Sequence, residues 1–258
     1  PDPAAFDYSR RSQPPVIFSQ EKLKVDERLP AARQAIVDRG LNERLGDDAG
    51  PLSELGIVVQ GGLTNALVRA MQLCGLADGL GEVSLPVLVL NVTYPLVPSQ
   101  IESFCEPRRA VLVVEEGSPE FIELEIAAAL RRAGLATALH GKGDLPAAGE
   151  YTVEVLARGL LAFLQQHAPD HPGIELAQSW LAAVQAPLAV IVGEWVGSSR
   201  GLGHVMLMAN GRGQTDLMFA ALAVLTAMGL ALFAAAGAVQ RRTERGRPEG
   251  RPRSLTTR

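Results

Sequence analysis

Four short aliphatic runs constrain this chain more than anything else in it: Leu55–Val59, Leu85–Leu90, Ala110–Val114 and Ala136–His140. They recur about every 25–30 residues, and each is followed by a segment of helical period, which is the pattern of a parallel sheet covered by helices on both faces. Continuous Val, Ile and Leu runs, rather than alternating ones, mark strands buried on both sides. Gly61-Gly62 turns the chain after the first run, and Thr64 is placed to cap a helix carrying Leu67, Val68, Met71 and Leu73. Pro98 suits the first turn of a helix through Phe104, and Ser118 or Gly117 is placed to cap a helix over Glu120–Arg132 that Gly134 stops. Tyr151–His167 closes the series as an amphipathic helix. The expected fold is a three-layer α/β domain with a parallel sheet over 51–168. It is preceded over 1–50 by a connector and two amphipathic helices, Glu21–Leu41, interrupted at Pro30.

That pattern stops at Pro169, His171, Pro172 and Gly173. Beyond them lies Leu217–Val239, 23 residues without a charge. As a helix it would span roughly 34 Å, slightly more than the hydrocarbon core of a bilayer. Between Gln240 and Arg258 there are seven Arg against two Glu. This arrangement predicts an all-α, membrane-type tail over 173–240 in the inner membrane, then a basic disordered stretch over 241–258 on the cytoplasmic side. The first 168 residues are expected in the cytoplasm, so the bilayer is an expected partner of the tail alone.

Charge and cysteine usage narrow the function classes. A net charge of −4 over 258 residues argues against a nucleic-acid partner. Cys74 and Cys105 form neither a redox pair nor an iron–sulfur or zinc ligand set. The four histidines, His140, His167, His171 and His204, share no metal spacing. Gly61-Gly62 is not a dinucleotide fingerprint, and the phosphate-loop pattern is absent. The chain starts Pro-Asp-Pro, without a basic and apolar leader, and reads as an interior fragment. Glu115 and Glu116 end the third strand, where α/β sheets present functional residues, and only one of two adjacent strand residues can face a given side. His140-Gly141-Lys142-Gly143-Asp144 places a base and a cation at the end of the fourth strand. Interface or helix-capping service fits this pair of acids better than catalysis, and a solvated turn accounts for the His-Gly-Lys stretch nearly as well.

Several stretches resemble known families. "LGIVVQGGLTNALVRAMQLCGLAD", "PVLVLNVTYPLVPSQIESFC", "RAVLVVEEGSPEFIELEIAAALRRAG" and "LHGKGDLPAAGEYTVEVLARGL" resemble indolepyruvate ferredoxin oxidoreductases, over about Val16 to His167. The most distinctive parts are Asn91 to Val97, Val114 to Gly117 and His140 to Lys142. The resemblance implies a middle domain similar to the transketolase C-terminal domain. That family decarboxylates arylpyruvates oxidatively, using thiamine diphosphate, magnesium and iron–sulfur clusters, with ferredoxin as acceptor. The motifs of its cofactor-binding domains have no counterpart here, so no catalytic, cofactor-binding or metal residue is carried over. Glu115 and Lys142 are retained as interface candidates toward the remaining oxidoreductase domains or subunit.

The second resemblance covers about Gly173–Gln240. "APLAVIVGEWVGSSRGLGHVMLMANGRGQTDLMFAALAVLTAMGLALF" is similar to the C-terminal membrane region of nitrate/sulfonate/taurine-type ABC permeases, those for thiamine-precursor solutes above all. The coupling loop that would meet an ATPase is absent upstream. The sequence therefore predicts an oxidoreductase fragment fused to the end of a permease, inactive by itself. The alternative is the membrane component of an importer for a small nitrogen, sulfur or thiamine-precursor solute.

Overall fold

The computed structural model describes residues 16–46, 48–197 and 201–245, and the chain divides into two compact units, Pro1–Ala177 and Gln178–Arg258. The basic stretch from 246 onward and the first 15 residues lie outside the described residues.

In the first unit, five strands form one sheet: β1 (Glu43–Leu45), β2 (Leu55–Gln60), β3 (Val87–Leu90), β4 (Ala110–Val114) and β5 (Ala138–His140). Their spatial order is β1-β3-β2-β4-β5. The four aliphatic runs of the sequence supply β2 to β5, and their mutual pairings are all parallel. β1 was not foreseen. It pairs antiparallel with β3, Glu43 opposite Val89 and Leu45 opposite Val87, as a short polar edge. Its Glu-Arg sequence leaves both side chains toward water, a common way to blunt a sheet edge.

The helices fall on both faces. α3 (Thr64–Leu73) and α6 (Val153–His167) pack together on one, and α4 (Pro98–Cys105) and α5 (Phe121–Ala133) on the other. Alternation along the strands splits the core accordingly. Val58, Leu88, Leu90, Val111 and Val113 meet Ile101, Phe104, Cys105, Ile122, Ile126 and Leu130 on the α4–α5 side. Ile57, Val59, Val87, Leu112 and Val114 point the other way and are equally buried. The result is a mixed α/β fold with a mostly parallel five-stranded sheet.

Three local expectations are corrected. The N-terminal helices start at Val16, within the stretch read as a connector, and run as α1 (Val16–Leu23), one π-helical turn (Lys24–Arg28) and α2 (Leu29–Asp38). Pro30 does not end the helical run: Arg28 and Leu29 before it stay helical, and the π turn directly ahead, where Leu29 N donates to Lys24 O, accommodates a residue that cannot make the regular bond. Thr64 does not cap α3 as an acceptor; its hydroxyl donates to Gly61 O at 2.8 Å. Neither Gly117 nor Ser118 caps α5, whose terminus is held from further away.

The second unit is helical: α7 (Gly173–Gly197) enters it, followed by α8 (Leu202–Gly211) and α9 (Thr215–Arg245). α8 and α9 pack on each other across a tight turn in which Gly213 takes φ +68° and Gln214 N donates to Ala209 O at 2.9 Å. The expected membrane tail is overturned here: among the described residues, no helix is long and apolar enough to cross a membrane. Absence of charge was too permissive a criterion. Of the 23 residues in Leu217–Val239, nine are Ala, two Gly and one Thr, side chains that bring little apolar area each. The inner-membrane location of the tail, its cytoplasmic C-terminus and the bilayer as partner fall with it.

Candidate functional site

The strand order reverses direction between β2 and β4. The β2–α3–β3 crossover moves the chain one way along the sheet, and α4 brings it back across β2 to β4. In open α/β sheets the crevice beyond the carboxyl ends of such strands is where ligands and partners are received. A cleft of about 770 Å³ opens there, lined among others by Gln60 after β2, Thr93 and Tyr94 after β3, and Glu115, Glu116 and Phe121 after β4. Tyr94, which precedes a cis bond to Pro95, and both residues of the cis peptide Ser118-Pro119 lie on its wall. Two aromatic side chains at its rim, Tyr94 and Phe121, are more than half exposed.

The polar groups of the cleft hold its backbone. Glu115 is 6% exposed, and its carboxylate accepts from Ile122 N through both oxygens at 3.0 Å and from Glu123 N at 3.1 Å. It thus supplies the N-terminal cap of α5, meeting free amides and the positive helix end together. Glu116 points the other way, as strand alternation requires: its carboxylate accepts from Tyr151 N at 3.1 Å, while its own N–H donates to Gln60 Oε1 at 3.1 Å. Lys142 does not meet the Glu115 carboxylate. Its ammonium donates to the main-chain oxygen of Glu115 and, at 2.9 Å, to Tyr151 Oη, which in turn donates to Pro146 O at 2.6 Å. Lys142 N donates to Glu123 Oε2 at 3.0 Å. The two sequence candidates, Glu115 and Lys142, are therefore brought together through the main-chain oxygen of Glu115, one residue past β4.

Gly61-Gly62, which turns the chain after β2, opens a single 3-10 turn through Leu63. A Cβ on Gly61 would sit 2.5 Å from Asn91 Oδ1, so glycine is needed there for close approach of the β2 and β3 ends. Sequence reading missed Gln60, Tyr94, Phe121 and Tyr151 at this site. The usable signal was positional: each lies within a few residues of a strand's carboxyl end or in the loop that covers it.

The residues present do not fit the metal or iron–sulfur groups of the resembling oxidoreductases. Among the described residues no group of three His, Cys, Asp or Glu is placed to hold a metal. Both thiols are buried in the core, where loss of solvation pushes Cys74 up to about 12 and Cys105 to about 11, against formation of a ligating thiolate.

One prediction arises from the Tyr151 node. Tyr151 is 3% exposed, and Tyr151→Phe should destabilise the first unit by about 1–2 kcal/mol, the effect of a neutral buried hydrogen-bond partner. Urea unfolding measures it; a loss below about 0.5 kcal/mol would show the phenol to be dispensable.

No protein-family model matches the chain. A protein named indolepyruvate oxidoreductase subunit IorA from Methanothermobacter thermautotrophicus is 37% identical over 115 residues, 44% of this chain and 17% of that protein. Its namesake from Methanothermobacter marburgensis is 34% identical over 141 residues, 51% of this chain and 21% of its own. A probable ABC transporter permease protein from Haemophilus influenzae is 55% identical over 53 residues, 20% of this chain and 22% of that protein. The chain thus carries partial similarity to two unrelated families. It spans about a fifth of the length of these curated relatives.

Proposed function

We propose that residues 51–168 serve as the middle domain of an indolepyruvate-oxidoreductase-type enzyme, contributing a docking face and no reacting group. One observation carries this reading. At the switch point of the sheet, Glu115, Glu116 and Lys142 are each engaged with backbone or with Tyr151, so these three groups hold the frame of a cleft whose rim presents exposed aromatics. Such a surface suits the remaining domains or subunit of the oxidoreductase, which would bring thiamine diphosphate, magnesium, iron–sulfur clusters and the ferredoxin contact. The sequence resemblance and the 34–37% identity to IorA proteins support the same assignment. By itself the chain should not turn over arylpyruvates. Anaerobic incubation of the purified chain with indolepyruvate, coenzyme A, thiamine diphosphate and ferredoxin should give no reduced ferredoxin above a no-protein control, and turnover by the chain alone would refute the proposal.

A second reading concerns the C-terminal unit, and the 55% identity over 53 residues favours it. We read residues 173–240 as permease-derived sequence joined to the oxidoreductase-like domain by fusion. A single amplicon of the expected length from genomic DNA, crossing His167–Gly173, is the expected result. Two separate loci would dispose of the fusion while leaving the middle-domain assignment intact.

A further inference from the structure

Between β5, its following loop, the start of β4 and the end of α6, four side chains form a chain of hydrogen bonds. Asp144 Oδ2 lies 2.7 Å from His140 Nδ1, His140 Nε2 lies 2.8 Å from His167 Nε2, and His167 Nδ1 lies 3.3 Å from an Arg109 guanidinium nitrogen. Arg109 also donates to the main-chain oxygen of His167 and pairs with Glu54 at 3.3 Å. The ring of Phe163, wholly buried, packs edge-on to His140 and tilted to His167, with centroids at 5.4 Å and 4.9 Å.

The two ends of this chain fix its direction. A guanidinium can only donate and a carboxylate can only accept. Asp144 therefore requires the proton of His140 on Nδ1, which leaves His140 Nε2 as an acceptor. His167 must then carry its proton on Nε2, which leaves its Nδ1 to accept from Arg109. Every contact is satisfied with both rings neutral and each in one tautomer. A further proton has no site without loss: on His167 Nδ1 it faces Arg109, and on His140 Nε2 it faces the Nε2–H of His167.

We propose that Asp144, His140, His167 and Arg109 form an acid-released latch, which pins the last turn of α6 to the edge strand β5 at neutral pH and opens as the pH falls. The groups facing the histidines are Asp144 from the loop after β5 and Arg109 from the start of β4, with Glu54 behind Arg109. Burial, then the neighbouring His140 and Arg109, hold His167 below its ordinary 6.5, with Asp144 opposing. A histidine whose folded value is depressed stabilises the folded contact fully above its unfolded value, and that contribution is lost as the pH falls through the folded value. The latch is thus closed above about pH 6.5 and weakens below it.

Long-range ¹H–¹⁵N spectra of the full chain labelled at histidine test this. At pH 7.5 the expected pattern is Nδ1–H for His140 and Nε2–H for His167, with His167 titrating below 6.5. Amide exchange at His167 and Ala168, corrected for the intrinsic pH dependence, should accelerate toward pH 5, by up to about tenfold for each pH unit by which the His167 midpoint lies below 6.5. Arg109→Gln, at a half-exposed position, should raise that midpoint, because it removes the facing cation. The opposite tautomer on either ring, a His167 midpoint at or above 6.5, or pH-independent protection at the helix end would each overturn the latch.

Discussion

Phe104→Ala is expected to cost the first unit about 3–5 kcal/mol, a large share of the ~5–15 kcal/mol that holds a typical domain together. Phe104 is 1% exposed and sits among Ile101, Cys105, Val111 and Ile126 in the layer between the sheet and α4–α5. Its removal does more than open a cavity. The Arg108 guanidinium lies over the ring at 3.8 Å from its centroid, is 3% exposed, donates to Phe104 O and pairs with Asp48. Burial lowers the pKa of Arg108, with Asp48 opposing, and its Nε has no hydrogen-bond partner. The aromatic face is the remaining compensation for that buried charge, and alanine would remove it. Gly56 belongs to the same arrangement, since a Cβ there would stand 2.5 Å from Arg108 Cδ and 3.0 Å from Phe104 Cε1. Phe104→Leu keeps most of the volume but not the π face, so it should cost less than half as much. Urea unfolding of both variants checks the pair. A loss below about 1.5 kcal/mol for Phe104→Ala would mean that the layer repacks around the gap.

The three central strands, β2, β3 and β4, were legible because burial on both faces leaves one solution for each position. Ala110–Val114 has no polar residue to mislead, and its bounds in the structure are those read from sequence. What escaped sequence reading is what depends on long-range contact. Glu43-Arg44-Leu45 has no aliphatic run, because an edge strand needs only backbone pairing with β3. Helix capping was among the roles expected of Glu115 and Glu116, but not at which helix: Glu115 caps α5 from seven residues before Ile122, where local rules look to the residues adjoining the helix. His140 and His167 stand 27 positions apart, a separation that no helical or strand period relates; α6 folding back along β5 is what joins them. Glu115 and Lys142 were singled out by their positions at the carboxyl ends of two strands, but their meeting through the main-chain oxygen of Glu115 could not be read from residue types. The lipid expectation failed for another reason. It counted charges over Leu217–Val239, whereas insertion depends on the apolar area presented, and small residues dilute that area.

Glu115→Ala should cost about 2–4 kcal/mol and should act locally before it acts globally. The carboxylate is nearly inaccessible and accepts from two amides at the start of α5, so alanine leaves both N–H groups without partners in a buried place. Hydrogen bonds to a charged acceptor contribute about 1.5–3 kcal/mol in total effect, and the helix dipole adds a few tenths to one more. Lys142 cannot substitute, since an ammonium only donates and the freed groups are themselves N–H donors. The first turn of α5 carries Phe121 and Leu124, which form one wall of the cleft, so fraying there would reshape the proposed docking face while the sheet stays intact. Amide exchange at Ile122 and Glu123 should accelerate much more than at Val58 or Val113 in the central strands. Glu115→Gln, which keeps an acceptor oxygen but not the charge, should recover about half of the stability. Equal acceleration at Ile122 and Val113 in Glu115→Ala would show that the cap is inseparable from the core. A loss under about 1 kcal/mol would show that other groups or water satisfy those amides.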